Sequence, residues 1–218
     1  MSTLAEALPR PREGAARFAL SAMYVIAGSL LVAGLAQVAI KLPFTPVPIT
    51  GQTLGVLLVG AALGPLLGGM SLALYLVEGM VGLPFFAEGR SATAGQLFSP
   101  DPLFASAGYL WGFLAAGVIV GWLAKRGWDR TLKGSIGMML IGAVVLYIPG
   151  LVWLASALDI PVVGTGTACN AAVSLAGCDS LQLGLYPFVI GDLFKLLLAA
   201  GLLPAAWKLV KREDDEAG

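Results

Sequence analysis

Long uncharged apolar runs constrain this chain more than any other feature. Residues 18–40, 103–124 and 134–158 each form such a run. A helix crossing the ~30 Å hydrocarbon layer of a bilayer needs about 20 predominantly apolar residues, so each run is long enough to span it once. The stretch 51–86 is too long for one span and is interrupted by Gly64-Pro65. Proline cannot continue a helical hydrogen-bond ladder, so this dipeptide predicts a hairpin between spans over 51–63 and 66–83. A last apolar run covers 184–207, which makes six spans in all. The first run exceeds the 7–15 apolar residues or so of a secretory signal and reads as a retained helix.

Charge sets an orientation. Arg10, Arg12 and Arg17 precede the first span. Lys125, Arg126, Arg130 and Lys133 lie between the fourth and fifth, and Lys208, Lys211 and Arg212 follow the sixth. With six spans all three clusters fall on one face, which the positive-inside rule makes cytoplasmic, whereas Lys41 and Arg90 fall on the other. The reading is therefore an all-α, multi-pass protein of a cell membrane with both termini cytoplasmic. It consists of an N-terminal segment (1–17), a six-helix membrane domain (18–209) and an acidic C-terminal tail (210–218) expected to be disordered. Only 12% of the 218 residues are charged, against about 25% in soluble domains. Thirteen basic residues balance thirteen acidic ones, so no basic excess favours nucleic acid. With no histidine and two cysteines, zinc, haem and iron–sulfur sites are not expected. No nucleophile–base pair within the spans points to an enzyme. The 29 glycines suit helices whose backbones approach closely in lipid.

Against that apolar background the ionisable residues are conspicuous. Asp192 and Lys195, spaced i, i+3, share one face of the last helix. Counted from residue 184 they lie roughly 12 and 16 Å along the helix, near mid-membrane. A lone charge at that depth costs about 2.5–3.5 kcal/mol, and intramembrane ionisable residues mark substrate sites by default. The pair is open to two readings, a polar patch facing a ligand or a buried ion pair that fixes packing. Glu78, near the outer end of the third span, reads as a solvated boundary residue. Thr50, Gln52 and Thr53 open the second span, where they can cap the helix or bond a ligand. Tyr75, Tyr109, Tyr147 and Trp153 suit either an interfacial belt or the walls of a pocket. Gly28, Ser29 and Ala33 form a small-residue strip suited equally to internal packing and to docking on another membrane protein. Cys169 and Cys178 share the third outer loop with eight residues between them. On that oxidising face a disulfide is expected.

The segments PFTPVPITGQTLGVLLVGAALGP, LYLVEGMVGLPFFAEG, AGYLWGF, YIPGLVWLA and PFVIGDLFK, in that order over 18–205, resemble the BioY family. Its members are the biotin-specific substrate-capture (S) components of energy-coupling-factor (ECF) transporters. The resemblance implies a six-helix S-component fold in a bacterial or archaeal membrane and an outward-facing biotin site. It also implies partnership with a transmembrane coupling subunit and two ATPases. Biotin enters as transported ligand, with no cofactor. The family's acid and lysine match Asp192 and Lys195, and its loop motif matches Pro46, Pro48, Thr50 and Gln52. Phe44, Tyr75, Tyr109, Tyr147 and Trp153 complete the expected site, with Gly28, Ser29 and Ala33 as the candidate partner interface. The chain holds no nucleotide-binding P-loop pattern. The competing reading is a stand-alone proton-coupled carrier with Asp192 as its titrating group.

Overall fold

The computed structural model describes residues 3–7, 11, 14–164, 175 and 177–216, the last six through their backbone alone. Eight helices follow one another: α1 (Leu4–Ala7), α2 (Gly14–Ala36), α3 (Gln52–Met80), α4 (Ala94–Phe98), α5 (Ala107–Lys125), α6 (Leu132–Leu158), α7 (Ser180–Gly184) and α8 (Val189–Glu216). Two short strands, β1 (Ala39–Ile40) and β2 (Ile49–Thr50), pair antiparallel between α2 and α3. Among the described residues, α2, α3, α5, α6 and α8 are long and apolar enough to cross a membrane.

α3 is not one rod. Gly64 leaves the helical region altogether, at φ 81° and ψ −178°, a conformation open to glycine because it has no Cβ. Pro65 then offers no N–H to the preceding turn. The chain folds back here: the Gln52 side chain reaches the Tyr75 hydroxyl at 2.6 Å. A continuous helix would hold those two positions roughly 34 Å apart. The arms 52–63 and 65–80 therefore lie side by side, as the Gly64-Pro65 reading predicts.

Small residues set the spacing of the other helices. A Cβ added to Gly60 would come within 2.6 Å of the Gly117 carbonyl oxygen, so α5 meets the first arm of α3 backbone to backbone. The Leu72 side chain of the second arm also packs on Gly117. α2 packs on that second arm: Gly28 meets Ser71, and the Ser29 hydroxyl donates to the Glu78 carboxylate. Gly28, Ser29 and Ala33 are all buried within the chain. Their strip serves internal packing, which corrects the partner-interface assignment. Glu78 is half-buried as the acceptor in that contact rather than a solvated boundary residue.

The outer surface of the bundle is apolar. Ile190, Phe194 and Leu66 are 85, 69 and 72% exposed, as side chains facing lipid are. Both ends of the chain differ from the sequence reading. α2 begins at Gly14, inside the expected N-terminal segment. α8 continues to Glu216, so the acidic stretch extends a helix instead of forming a disordered tail.

Candidate functional site

The helix that carries Asp192 and Lys195 starts later than its apolar run does. α7 ends at Gly184, a turn carries Tyr186-Pro187, and α8 begins at Val189. Proline's fixed φ suits a position just ahead of a helix start. Asp192 therefore lies in the first turn of α8, its amide bonded to the Phe188 carbonyl at 2.8 Å. The helix thus starts five residues later than a count from residue 184 implies, while the acid's partner Tyr147 sits near the middle of α6. A carboxylate in a first turn faces the positive end of the helix dipole, which contributes typically 0.3–1 kcal/mol.

The pair is bonded on every side. Lys195 Nζ donates to Asp192 Oδ1 at 2.6 Å, to the Thr50 carbonyl at 2.7 Å and to Thr53 Oγ1 at 3.1 Å. An ammonium has three protons, so its donors are all in use. Asp192 Oδ1 also accepts from Thr53 at 3.2 Å, and Oδ2 accepts from the Tyr147 hydroxyl. A carboxylate accommodates about four such bonds, which leaves one acceptor position on Oδ2. Both side chains are about 15% exposed, enough to be reached from one cavity. The arrangement thus presents an acceptor, with the lysine holding that acceptor in place.

That cavity is a cleft between the helices and the loops that join them, open on one side to solvent. Asp192, Lys195, Thr50, Gln52, Tyr109 and Tyr147 line it, six of the nine residues expected from the sequence. Gln52 donates to the Tyr75 hydroxyl and accepts from Thr50 Oγ1 at 2.9 Å. Tyr75 in turn donates to the Phe85 carbonyl at 3.2 Å. Tyr75 is thus a buried strut behind Gln52 and not a wall. Phe44 points out of the loop, 39% exposed, and Trp153 packs against α5 at Gly108. Neither lines the cavity, because the β1–β2 turn aims Phe44 outward and α6 turns Trp153 away from it.

Six of the lining residues are aromatic, four of them phenylalanines not singled out from the sequence. Phe86, Phe104, Phe113 and Phe188 line the cavity beside Tyr109 and Tyr147, whose rings meet edge to face at 5.8 Å. The Tyr109 hydroxyl donates to the Gly184 carbonyl at 2.8 Å, fixing α5 to the end of α7. Thr45 Oγ1 donates to the Leu183 carbonyl at 2.5 Å, which ties the proline-rich 41–48 loop over the same region.

A second cation, Arg90, also lines the cavity. It follows two left-handed residues, Glu88 (φ 65°) and Gly89 (φ 68°), that turn the chain back so that the Phe86 amide bonds the Arg90 carbonyl at 2.9 Å. Its guanidinium stacks 5.3 Å from the Phe104 ring centre and 3.6 Å from the Glu88 carboxylate, which also meets Lys41 at 3.1 Å. Burial pushes the Arg90 pKa down from its ordinary value. Because Lys41 and Arg90 share the single Glu88 carboxylate, an anion entering the cavity meets an excess of positive charge there. The sequence held one signal for it: Arg90 and Lys41 are the two cations on the outer loops.

Cys178 is buried and disulfide-bonded. Cys169, with which pairing was expected, lies outside the described residues. Beside Cys178, Asp179 caps α7 through the Gln182 amide at 2.8 Å and also accepts from the Gly164 amide at 3.0 Å.

A bundle of apolar helices around a cavity with an acidic end and aromatic walls defines a multi-pass membrane protein built to hold a small, partly polar ligand. The chain belongs to the BioY family, whose model matches residues 10–212. The biotin transporter BioY of Rhizobium etli is 32% identical over 170 residues, 74% of this chain and 78% of that protein. The biotin transporter BioY of Rhodobacter capsulatus is 34% identical over 158 residues, 70% of this chain and 74% of the relative. The fold matches a crystal structure of the S-component for biotin from an ECF-type ABC transporter. The TM-score is 0.71 at 22% identity, covering 91% of this chain and 95% of the other.

Proposed function

We propose that this chain is the biotin-capturing S component of an ECF-type transporter, a transport subunit and not an enzyme. Family membership carries the substrate class, and the cavity chemistry supports it. Biotin has a ureido ring with two N–H donors, an apolar sulfur ring and a carboxylate tail. The open acceptor position on Asp192 Oδ2 takes a ureido N–H, a charge-assisted bond of about 1.5–3 kcal/mol. Lys195, its donors already engaged, holds Asp192 in orientation. Phe86, Phe104, Tyr109 and Phe188 cover the sulfur ring, and Arg90 receives the carboxylate.

The two arms of α3 count as two spans in this reading, giving six, with both termini cytoplasmic and the cavity facing out. ATP-driven release inward depends on a coupling subunit and two ATPases, since the chain carries no P-loop pattern. The decisive experiment titrates biotin into the purified protein in detergent. Saturable one-to-one binding is expected, and none by correctly folded protein refutes the assignment. Reporter fusions at Gly127 and Gly166 should fall on opposite faces of the membrane, and labelling on one face overturns the topology.

A further inference from the structure

The outer loops place one acid between two cations. Lys41 Nζ meets Glu88 Oε1 at 3.1 Å, and Arg90 Nε meets Oε2 at 3.6 Å, one carboxylate oxygen to each cation. The first distance is that of a hydrogen bond, and the second is longer than one. Glu88 is thus held more closely by Lys41 than by Arg90. Among the described residues, Arg90 reaches protein oxygens through Nε alone, to Glu88 and, at 3.5 Å, to the Ala87 carbonyl. A guanidinium has five N–H donors, so the four on its two Nη atoms are left for an incoming anion.

Glu88 stands behind the site. Its neighbours Ala87 and Arg90 line the cavity, and Glu88 does not. Its backbone is held left-handed, at φ 65° and ψ 26°, a conformation uncommon for residues other than glycine, and its side chain is only 16% exposed. The segment ahead of it is anchored. Gln37 Nε2 donates to the Pro84 carbonyl at 3.3 Å, and Tyr75 donates to the Phe85 carbonyl at 3.2 Å. From that fixed backbone, the freedom left to the carboxylate is a side-chain rotation between its two cations.

We propose that Glu88 is an internal competitor for Arg90 that sets how strongly the cavity prefers a carboxylate ligand to a neutral one, and that Lys41 weakens this competition by drawing Glu88 away. The proposal rests on the reading in which Arg90 receives the carboxylate of biotin. When that carboxylate arrives, Arg90 exchanges one negative partner for another, and Lys41 retains the displaced Glu88. Lys41 and Glu88 therefore act with opposite sign: the lysine favours the anionic ligand and the acid opposes it. Two residues that merely tied the loops together would act with the same sign, because losing either one breaks the same ion pair.

The test compares the Kd of biotin with that of its uncharged carboxamide, by titration calorimetry on the full chain in detergent. Their ratio cancels any change that affects both ligands equally. At about 0.15 M salt, exposed charges more than about 8 Å apart are largely screened, so Lys41, 77% exposed, acts on the ligand through Glu88. A partly exposed ion pair shifts an equilibrium about threefold. Glu88→Gln, which keeps the shape, should therefore raise the preference for biotin about threefold. Lys41→Met should lower it about threefold, and the double variant should match Glu88→Gln. Lys41→Met alters an exposed side chain, so it reads the competition even where Glu88→Gln melts early. Arg90→Gln is the control, and it should abolish the preference together with the effect of both substitutions. Three results overturn the competition while Arg90→Gln still abolishes the preference. They are a folded Glu88→Gln that fails to raise it, a Lys41→Met without effect, and a Lys41→Met that lowers it equally in the Glu88→Gln background. A preference that survives Arg90→Gln overturns the carboxylate assignment itself, and this proposal with it.

Discussion

Asp192→Asn separates a ligand-binding acid from a structural ion pair. The substitution keeps the shape and removes one charge. In the folded protein Lys195 and Thr53 both direct hydrogens at Oδ1, so the asparagine carbonyl must take that side. The amide NH₂ then replaces Oδ2, facing the Tyr147 hydroxyl and the open position where a ureido N–H is received. Tyrosine adapts by accepting, but the ligand cannot, because donor meets donor. The loss of a charge-assisted bond, about 1.5–3 kcal/mol, weakens biotin binding about ten- to a hundred-fold. A second effect runs in parallel. Lys195 keeps its charge without a counter-ion at about 16% exposure, and an unpaired intramembrane cation costs about 2.5–3.5 kcal/mol on the insertion scale. The melting temperature should therefore fall as well. Combining Asp192→Asn with Lys195→Met removes the orphaned charge, so stability should recover while affinity does not. The assays are biotin titration calorimetry and thermal melting on the same detergent preparations. Wild-type affinity in folded Asp192→Asn, or affinity that recovers with stability in the double variant, refutes the reasoning.

Arg90→Gln should weaken binding of biotin about tenfold but leave binding of its uncharged carboxamide within about twofold, because one ligand alone needs the cation; equal losses for both ligands count against the carboxylate assignment. Gly60→Val should destabilise by about 1–3 kcal/mol in melting experiments, since its Cβ would press within 2.6 Å of the Gly117 carbonyl oxygen. Asp129, in the turn before α6, is held by Trp207 Nε1 at 2.5 Å, and burial raises its pKa above the ordinary carboxylate value. For an acid with a raised folded pKa, stability is full below the unfolded value and falls as pH rises through the folded one. Asp129→Asn should therefore melt higher than wild type at pH 7, with the advantage vanishing towards pH 4; a constant difference across that range contradicts the assignment.

The spans were legible because lipid imposes a simple rule: a crossing segment must be long, apolar and helical. Gly64-Pro65 was legible for a related reason, since few sequences other than Gly-Pro stop a helix so abruptly inside an apolar run. What composition could not give was the direction of a small-residue strip. Gly28, Ser29 and Ala33 fit internal packing and partner docking alike. Only the position of Ser71 and Glu78 on a neighbouring helix, some 40 or more residues away in sequence, decides between them.

The start of α8 shows the limit most clearly and explains the site. Hydropathy runs unbroken from Leu183 to Leu203 apart from the charged pair, so counting residues started the helix at residue 184. Backbone geometry moved the helix start to Val189, and with it the electrostatics of the acid. In a first turn Asp192 has the dipole behind it, and Lys195, one turn further in, reaches back to Thr50 and Thr53 at the opening of α3. Two helix N-termini thus converge on one carboxylate, one on α8 and one on α3. That convergence is a long-range consequence of the 41–51 connection and the α7 turn, neither of which has a helical or strand period to read. It also determines which chemistry the pair offers. A bare ion pair presents a donor and an acceptor equally. A lysine whose three protons are already engaged leaves the acid's remaining lone pair as the group that meets the ligand.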